Sequence, residues 1–228
     1  MDVISPRGLV IAIDGPSGAG KGTVSRVVAE RLHYRHVDTG AMYRAVAWLS
    51  AHLGVDLADA DRIAALAGAA TFAFEGVVQI DGHDVTAVIR TPDIDQAAAR
   101  VAQYPAVRRV LVDRQREYGR DGGVVMEGRD IGTVVFPAAD VKIYLDASSI
   151  ERARRRAADA LHAAGRVEGG VSQVARALED RDRVDRTRAA SPLTRSDDAI
   201  YIDTTDLPIG AVVDRVLAAV DARQRAER

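Results

Sequence analysis

The sequence predicts an α/β protein built on a parallel sheet, and three observations carry that expectation. Short apolar runs rich in β-branched residues alternate with segments of helical periodicity, the order that packs helices onto a parallel sheet. The first of these runs stops at a glycine-rich loop that opens a helix. Later runs end at Glu127 and Asp146, as buried strands feeding functional loops do.

Leu9-Val10-Ile11-Ala12-Ile13 is apolar throughout and ends at Asp14-Gly15-Pro16, which reads as a strand buried on both faces. Val24, Val27, Val28 and Leu32 recur at helical spacing, so a helix is expected over 22–33. His33 and His36 adjoin the second strand and are expected to be structural. Helical patterns follow over 41–53, 105–118, 148–163, 171–186 and 208–223, the last opening at Pro208 after Thr205 and Asp206. Val124-Val125-Met126, Val141 to Leu145 and Ala199 to Ile202 are further strands. Residues 61–102 break the rhythm. Thr71 to Phe74 and Val77 to Ile80 read as short strands separated by Glu75-Gly76, Asp81-Gly82 as a turn, and Pro92-Asp93 as a helix start. This small β-rich segment is expected to be an insertion. The arginine-rich stretch from Glu151 to Gly170 has the glycines of a mobile flap, and the ends of the chain are expected to fray.

The 228 residues, 47% hydrophobic and 28% charged, are enough for one sizeable core. Aromatics make up 4%, so aliphatic side chains must fill most of it. A net charge of -2 argues against a protein that coats nucleic acid. The absence of cysteine excludes disulfides, thiolate zinc sites and cysteine nucleophiles. Met1 to Gly8 lack the pattern of a secretory leader, and no apolar stretch reaches the roughly 18 residues of a membrane span, so a soluble, cytoplasmic protein is expected.

Gly15-Pro16-Ser17-Gly18-Ala19-Gly20-Lys21-Gly22-Thr23 has the spacing of a phosphate-binding P-loop. Glycines let backbone N–H groups approach phosphate oxygens without a Cβ in the way. Lys21 brings a compact charge, and the helix that follows adds its dipole. Only two lysines, Lys21 and Lys142, occur in a chain that otherwise uses arginine, and one of them stands at this position. The residue after it is Gly22 rather than Ser or Thr. With no asparagine anywhere, the chain cannot carry the Asn-Lys-x-Asp guanine reader of GTPases. Helicase-like ATPases are commonly larger and more basic.

Three further motifs narrow the choice: Asp38-Thr39-Gly40-Ala41-Met42-Tyr43-Arg44, Gly128-Arg129-Asp130-Ile131-Gly132-Thr133 continuing to Pro137, and the run from Arg181-Asp182-Arg183 through Arg188 to Ser191-Pro192-Leu193. With the loop, and with Val141 to Ser148, they resemble the bacterial cytidylate kinases over about residues 9–220. The resemblance implies the P-loop nucleoside monophosphate kinase fold, with five parallel strands. The core would be 1–60, 103–150 and 171–228, with an NMP-binding insertion at 61–102 and a lid at 151–170. It also implies transfer of the γ-phosphoryl of ATP to CMP or dCMP, with Mg²⁺. The nearest rivals are a shikimate or adenylate kinase, a P-loop ATPase with no nucleotide acceptor, and a nucleotide sensor that turns nothing over.

Carried onto this chain, Arg44, Arg129 and Arg188 match the positions for the acceptor phosphate, where guanidinium binds bidentately. Asp130 matches the reader of the cytosine amino group, with Arg108 on the base's acceptors and Thr39 close by; Arg181 and Asp185 match positions near the ribose. Lys21, Arg129 and Arg188 are the expected catalytic set. Ala99 stands where some family members have serine, which leaves the ribose preference open. Arg152, Arg155 and Arg156 lead into the flap, and Arg155 and Arg156 are expected on ATP; a basic helix held by salt bridges would explain at least one of the three. Glu127 and Asp38 are both candidates for holding Mg²⁺, and either could instead pair with Lys21 or Arg129. Residues 151–188 hold ten arginines, but interleaved acids and the lack of aromatics argue against nucleic acid. A monomer is expected, because two moving segments need space.

Overall fold

A computed structural model describes residues 8–74, 76–158 and 170–226. Its centre is a five-stranded sheet made of β1 (Val10–Asp14), β2 (Arg35–Asp38), β6 (Val124–Gly128), β7 (Val141–Asp146) and β8 (Ile200–Asp203). The order is β2-β6-β1-β7-β8 and every pairing is parallel, as the apolar runs predict. β2 is an edge strand whose single buried residue is Val37, which is why no apolar run marks it.

Side-chain alternation along β1 decides which helix packs where. Ile11 and Ile13 point to one face and form a cluster with Val24 and Val28 of α1 (Lys21–Leu32) and with Val212, Val216 and Val220 of α8 (Ile209–Ala226). Val10 and Ala12 point to the other face, where Val112 of α5 (Pro105–Gly119) meets Ile131 and Val135. Each large aliphatic side chain so buried contributes about 1.5–3 kcal/mol. Residues Ile131–Val135 form one π-helical turn, which no local sequence pattern announces.

The segment 61–102 contains an antiparallel sheet of β3 (Phe72–Ala73), β4 (Gln79–Ile80) and β5 (His83–Asp84). Asp81 and Gly82 make the tight turn with φ of 48° and 80°, the geometry expected of Asp-Gly. It also contains α3 (Ala60–Ala69), which the sequence pattern does not predict, and α4 (Pro92–Val101), which starts at the predicted proline. Ile63, Ile80, Ile89, Ala98 and Val101 pack against Met42 and Val46 of α2 (Thr39–His52) and Val107 and Leu111 of α5. The segment therefore shares a core with the helices behind the sheet.

α6 (Ser149–Ala158) and α7 (Gly170–Thr187) complete the described helices. The flap expected over 151–170 lies, for 159–169, outside the described residues.

Candidate active site

Strands β1, β2 and β6 end side by side at one cleft, the usual ligand position in an open parallel sheet, and Asp38, Glu127 and Gly128 at the ends of β2 and β6 line it. The cleft has a volume of ≈ 1310 Å³, large enough for more than one small ligand. It is lined by the glycine loop, by both ends of the predicted motifs, and by the segment 61–102.

Gly15 has φ of 145°, and a Cβ there would lie 1.9 Å from the Leu145 carbonyl oxygen, so only glycine lets the loop cross β7 this closely. The N-cap of α1 is Gly20, which offers no side-chain cap, and the first turn holds no acidic residue. Its orphan N–H groups therefore open onto the cleft together with the helix dipole, an anion site. Lys21 is buried and donates to the Pro16 carbonyl at 2.7 Å. Burial, helped by the Arg129 charge, lowers its pKa to about 7. Phosphate bound there would restore the charged form. Binding of ATP at about pH 8 is therefore expected to take up protons from solution. Calorimetry in two buffers of different ionisation enthalpy reads this directly, and the uptake should vanish in Lys21→Met.

Around the loop, the three arginines of α6 have separate environments. Arg152 does not line the cleft: it is buried, pairs with Asp182 of α7, and donates to the carbonyls of Ser17 and Ala147, each at 3.1 Å. It is not a solvated surface charge. It ties the glycine loop to α6 and α7. Arg152→Met leaves Asp182 buried without its partner and should cost about 3–5 kcal/mol. Urea unfolding measures that loss, and the paired Arg152→Met/Asp182→Leu change should recover most of it. Arg155 does line the cleft, bonded to Thr204 Oγ1 at 2.9 Å and to the Thr204 carbonyl at 2.6 Å. Arg156 lines it too, and pairs with Asp95 of α4, which Arg181 Nη1 also approaches at 3.8 Å. Asp95 thus links α4 to α6 and α7.

At the other end, Asp38 caps α2 by accepting from the Ala41 amide at 3.0 Å and pairs with Arg44 at 2.8 Å. Burial alone would raise the Asp38 pKa, but Arg44 and that amide hold it below the ordinary carboxylate range. Thr39 donates to the Glu127 carbonyl at 2.7 Å, and Gly128 must be glycine there because a Cβ would meet Thr39 Oγ1 at 2.7 Å. The Glu127 carboxylate meets His36 Nε2 at 3.1 Å and lies beside Gly22, whose added Cβ would be 3.3 Å from it. His36 is raised above its ordinary pKa, since the Glu127 contact outweighs burial, which acts in the opposite sense.

Arg108 and Asp130, 22 residues apart, form a buried pair at 2.6 Å, with the Arg108 guanidinium 5.3 Å from the centre of the Tyr43 ring. Arg188 stands 3.8 Å from Asp130 and 3.1 Å from Asp185, which also takes Arg129 Nε at 3.1 Å. Arg181 lines the same wall. Burial and the Arg108 charge lower Arg188, and burial and Arg129 lower Arg181. A phosphate would relieve this crowding of cations. Among the described residues, Arg44 Nε, Arg90 Nε, Arg108 Nε and Arg188 Nη2 are buried N–H groups without a hydrogen-bond partner, and all four residues line the cleft.

Every predicted site residue from Ser17 onward lines this one cleft, while the predicted Gly15 and Pro16 do not. Sequence reasoning missed Asp14, His36, Tyr43, Arg90, Asp95 and Thr204. Tyr43 lies inside a quoted motif and Arg90 directly before a predicted helix start, so position alone could have flagged them. The other contacts are long-range. Among the described residues, no helix is long and apolar enough to cross a membrane, and no cluster of three or more His, Cys, Asp or Glu forms a ready-made metal cage.

The cytidylate kinase family profile matches residues 11–222. The chain is 46% identical over 216 residues to the cytidylate kinase of Solibacter usitatus, covering 94% of this chain and 93% of that one. It is 48% identical over 221 residues to the cytidylate kinase of Pelotomaculum thermopropionicum, covering 94% and 97%. Among solved structures, an uncharacterized protein from Eubacterium ventriosum superposes with a TM-score of 0.50 at 12% identity, over 93% of this chain and 98% of that one. That is a likeness of fold alone.

Proposed function

The chain belongs to the cytidylate kinase family, and from that premise we propose that its cleft moves the γ-phosphoryl of ATP directly to CMP or dCMP, with Lys21, Arg129 and Arg188 as the reacting-centre residues. Phosphorylation of CMP with ATP is the family reaction, supported by relatives that match nearly the whole chain. The observation that carries the acceptor side of this reading is the set of buried guanidinium nitrogens without hydrogen-bond partners on Arg44, Arg90, Arg108 and Arg188, all lining the cleft. Orphaned buried donors are costly, and an acceptor nucleotide would satisfy them.

In this reading the glycine loop and α1 cradle the ATP phosphates, Lys21 follows the moving phosphoryl, and Arg155 and Arg156 close on the donor. Arg44, Arg129 and Arg188 take the acceptor phosphate. Arg181 and Asp185 lie near the ribose. Thr39, Arg108 and Asp130 read the base. The transition state is loose, so positioning and charge neutralisation do the work, and no covalent enzyme intermediate is formed. Closure over both nucleotides would exclude water and so suppress hydrolysis.

Magnesium, when bound, would supply charge neutralisation for the transferring phosphates. Glu127 fits that role. Its carboxylate lies against Gly22 at the loop, and Mg²⁺ takes one or two carboxylates with phosphates and water rather than a full protein cage. Asp38 is already engaged by Arg44 and the Ala41 amide, which leaves it the weaker ligand.

The test is ADP release from MgATP with CMP, dCMP, UMP, AMP and shikimate offered in turn. CMP should raise the rate far above that without acceptor; no acceleration by CMP sinks the proposal.

A further inference from the structure

β1 ends at Asp14, one residue before the glycine loop, and the Asp14 side chain does not face the nucleotide cleft. It is buried, 5% exposed, and reaches across to the segment that follows β6. Oδ1 accepts the Ile131 amide at 2.8 Å and Oδ2 accepts the Gly132 amide at 2.7 Å. These amides open the π-helical turn, whose N-cap, Asp130, supplies no side-chain cap of its own. A helix start leaves such N–H groups without partners. Here one carboxylate from another strand takes both. Gly132 allows the approach, since a Cβ on it would stand 3.2 Å from Lys142 Cδ and 3.4 Å from Asp14 Oδ2. On its far side, the same turn is closed by the Val134 and Val135 amides, both donating to the Asp130 carbonyl at 2.8 and 3.1 Å.

The two residues immediately before this anchored pair are Arg129 and Asp130. A two-point attachment at Ile131 and Gly132 fixes the peptide planes that aim them. We propose that Asp14 is a positioning residue for acceptor recognition: its carboxylate ties the root of the phosphate loop to the Arg129-Asp130 turn and so sets both side chains against the nucleotide. The proposal rests on the reading of Asp130 as the reader of the base. Burial raises the Asp14 pKa to about 6, while the two amides pull it down; Asp130 raises it further and Lys21 opposes that. At neutral pH the group is therefore chiefly the ionised, doubly accepting form that the clamp needs.

The test is Asp14→Asn, which keeps the shape but turns an NH₂ toward one of the two amides. The KM for CMP should rise by about tenfold to a hundredfold, and the CMP-over-UMP ratio of kcat/KM should fall by a similar factor. The KM for ATP should stay within about twofold. A variant that melts like the parent and keeps its CMP KM and its CMP preference overturns the proposal. So does one that loses turnover equally with every acceptor, the mark of a purely structural role. If Asp14→Asn does not fold, hydrogen exchange on the unaltered enzyme decides: the Ile131 and Gly132 amides should be protected, and free exchange at both refutes the clamp. Asp130→Ala run in parallel separates the two ideas. If Asp130→Ala leaves the preference intact, the base-reading assignment fails. If only Asp130→Ala erodes it, the Asp14 inference fails by itself.

Discussion

Replacing Lys21 with alanine should lower kcat with CMP by about 10³-fold or more, while the protein becomes no less stable. The catalytic half follows from its position. The ammonium stands at the end of a loop that presents uncapped amides and no acidic residue, so it is the compact charge available to the transferring group there. Loss of single preorganised donors in phosphoryl and acyl transfer costs factors of this size. The stability half follows from the sign of its pKa shift. Burial lowers Lys21 to about 7 from the ordinary 10.5. Between these two values the unfolded chain binds the proton more tightly than the folded one, so stability falls as the pH is lowered through that window. Alanine removes this term. Unfolding curves at pH 7 and pH 9 should then lie closer together for the variant than for the parent. A variant that is both inactive and less stable would mean that Lys21 holds the loop through Pro16, and the catalytic assignment would have to be withdrawn. Kinetics and urea titration on the same preparation distinguish the two.

What the sequence revealed and what it hid divide along a physical line. Features made by residues close in the chain were legible. The glycine loop needs a strand before it and a helix after it, and both are visible as apolar patterns around Gly15 to Thr23. The Asp81-Gly82 turn and the start of α4 at Pro92 are likewise local chemistry. α3 was not legible because Ala60–Ala69 is alanine-rich and buries only Ile63 and Ala67, too few positions to show a period. β2 showed no apolar run, because Arg35-His36-Val37-Asp38 is polar at three of its four positions. The π turn at Ile131–Val135 depends on a carboxylate 117 residues away and has no local signature. Arg152 shows the same limit on a helix. The spacing of Arg152, Arg155 and Arg156 says they share a helix, but which one turns inward is decided by Asp182 on α7. The Arg108–Asp130 pair shows how a motif can overcome that limit. Nothing in the periodicity joins Arg108 to Asp130, yet the motif resemblance named both, and the fold brings them to 2.6 Å.

That pair carries the second large effect. Asp130→Ala should lower kcat/KM for CMP by about 10²–10³-fold while changing UMP little, so that the preference falls by nearly the same factor. Cytosine presents an amino donor where uracil presents a carbonyl, and a buried carboxylate accepts from the first and repels the second. The size of the effect comes from the burial of the site: side chains of Asp130 and Arg108 are 8% and 4% exposed, so water cannot replace a missing partner cheaply. The substitution also strips Arg108 of its carboxylate and leaves Arg188 without a neighbour at 3.8 Å, so the variant should lose about 3–5 kcal/mol of stability. That loss is the reason to read a ratio rather than a rate, because both acceptors are measured on one sample and a partly unfolded fraction cancels. Asp130→Asn sharpens the result. Its amide can donate to the uracil carbonyl, so UMP turnover should rise relative to CMP, with a smaller loss of stability than in the alanine variant. If instead both variants keep the parental ratio, discrimination lies with Arg108 and Thr39, and Asp130 serves to hold Arg108 in place.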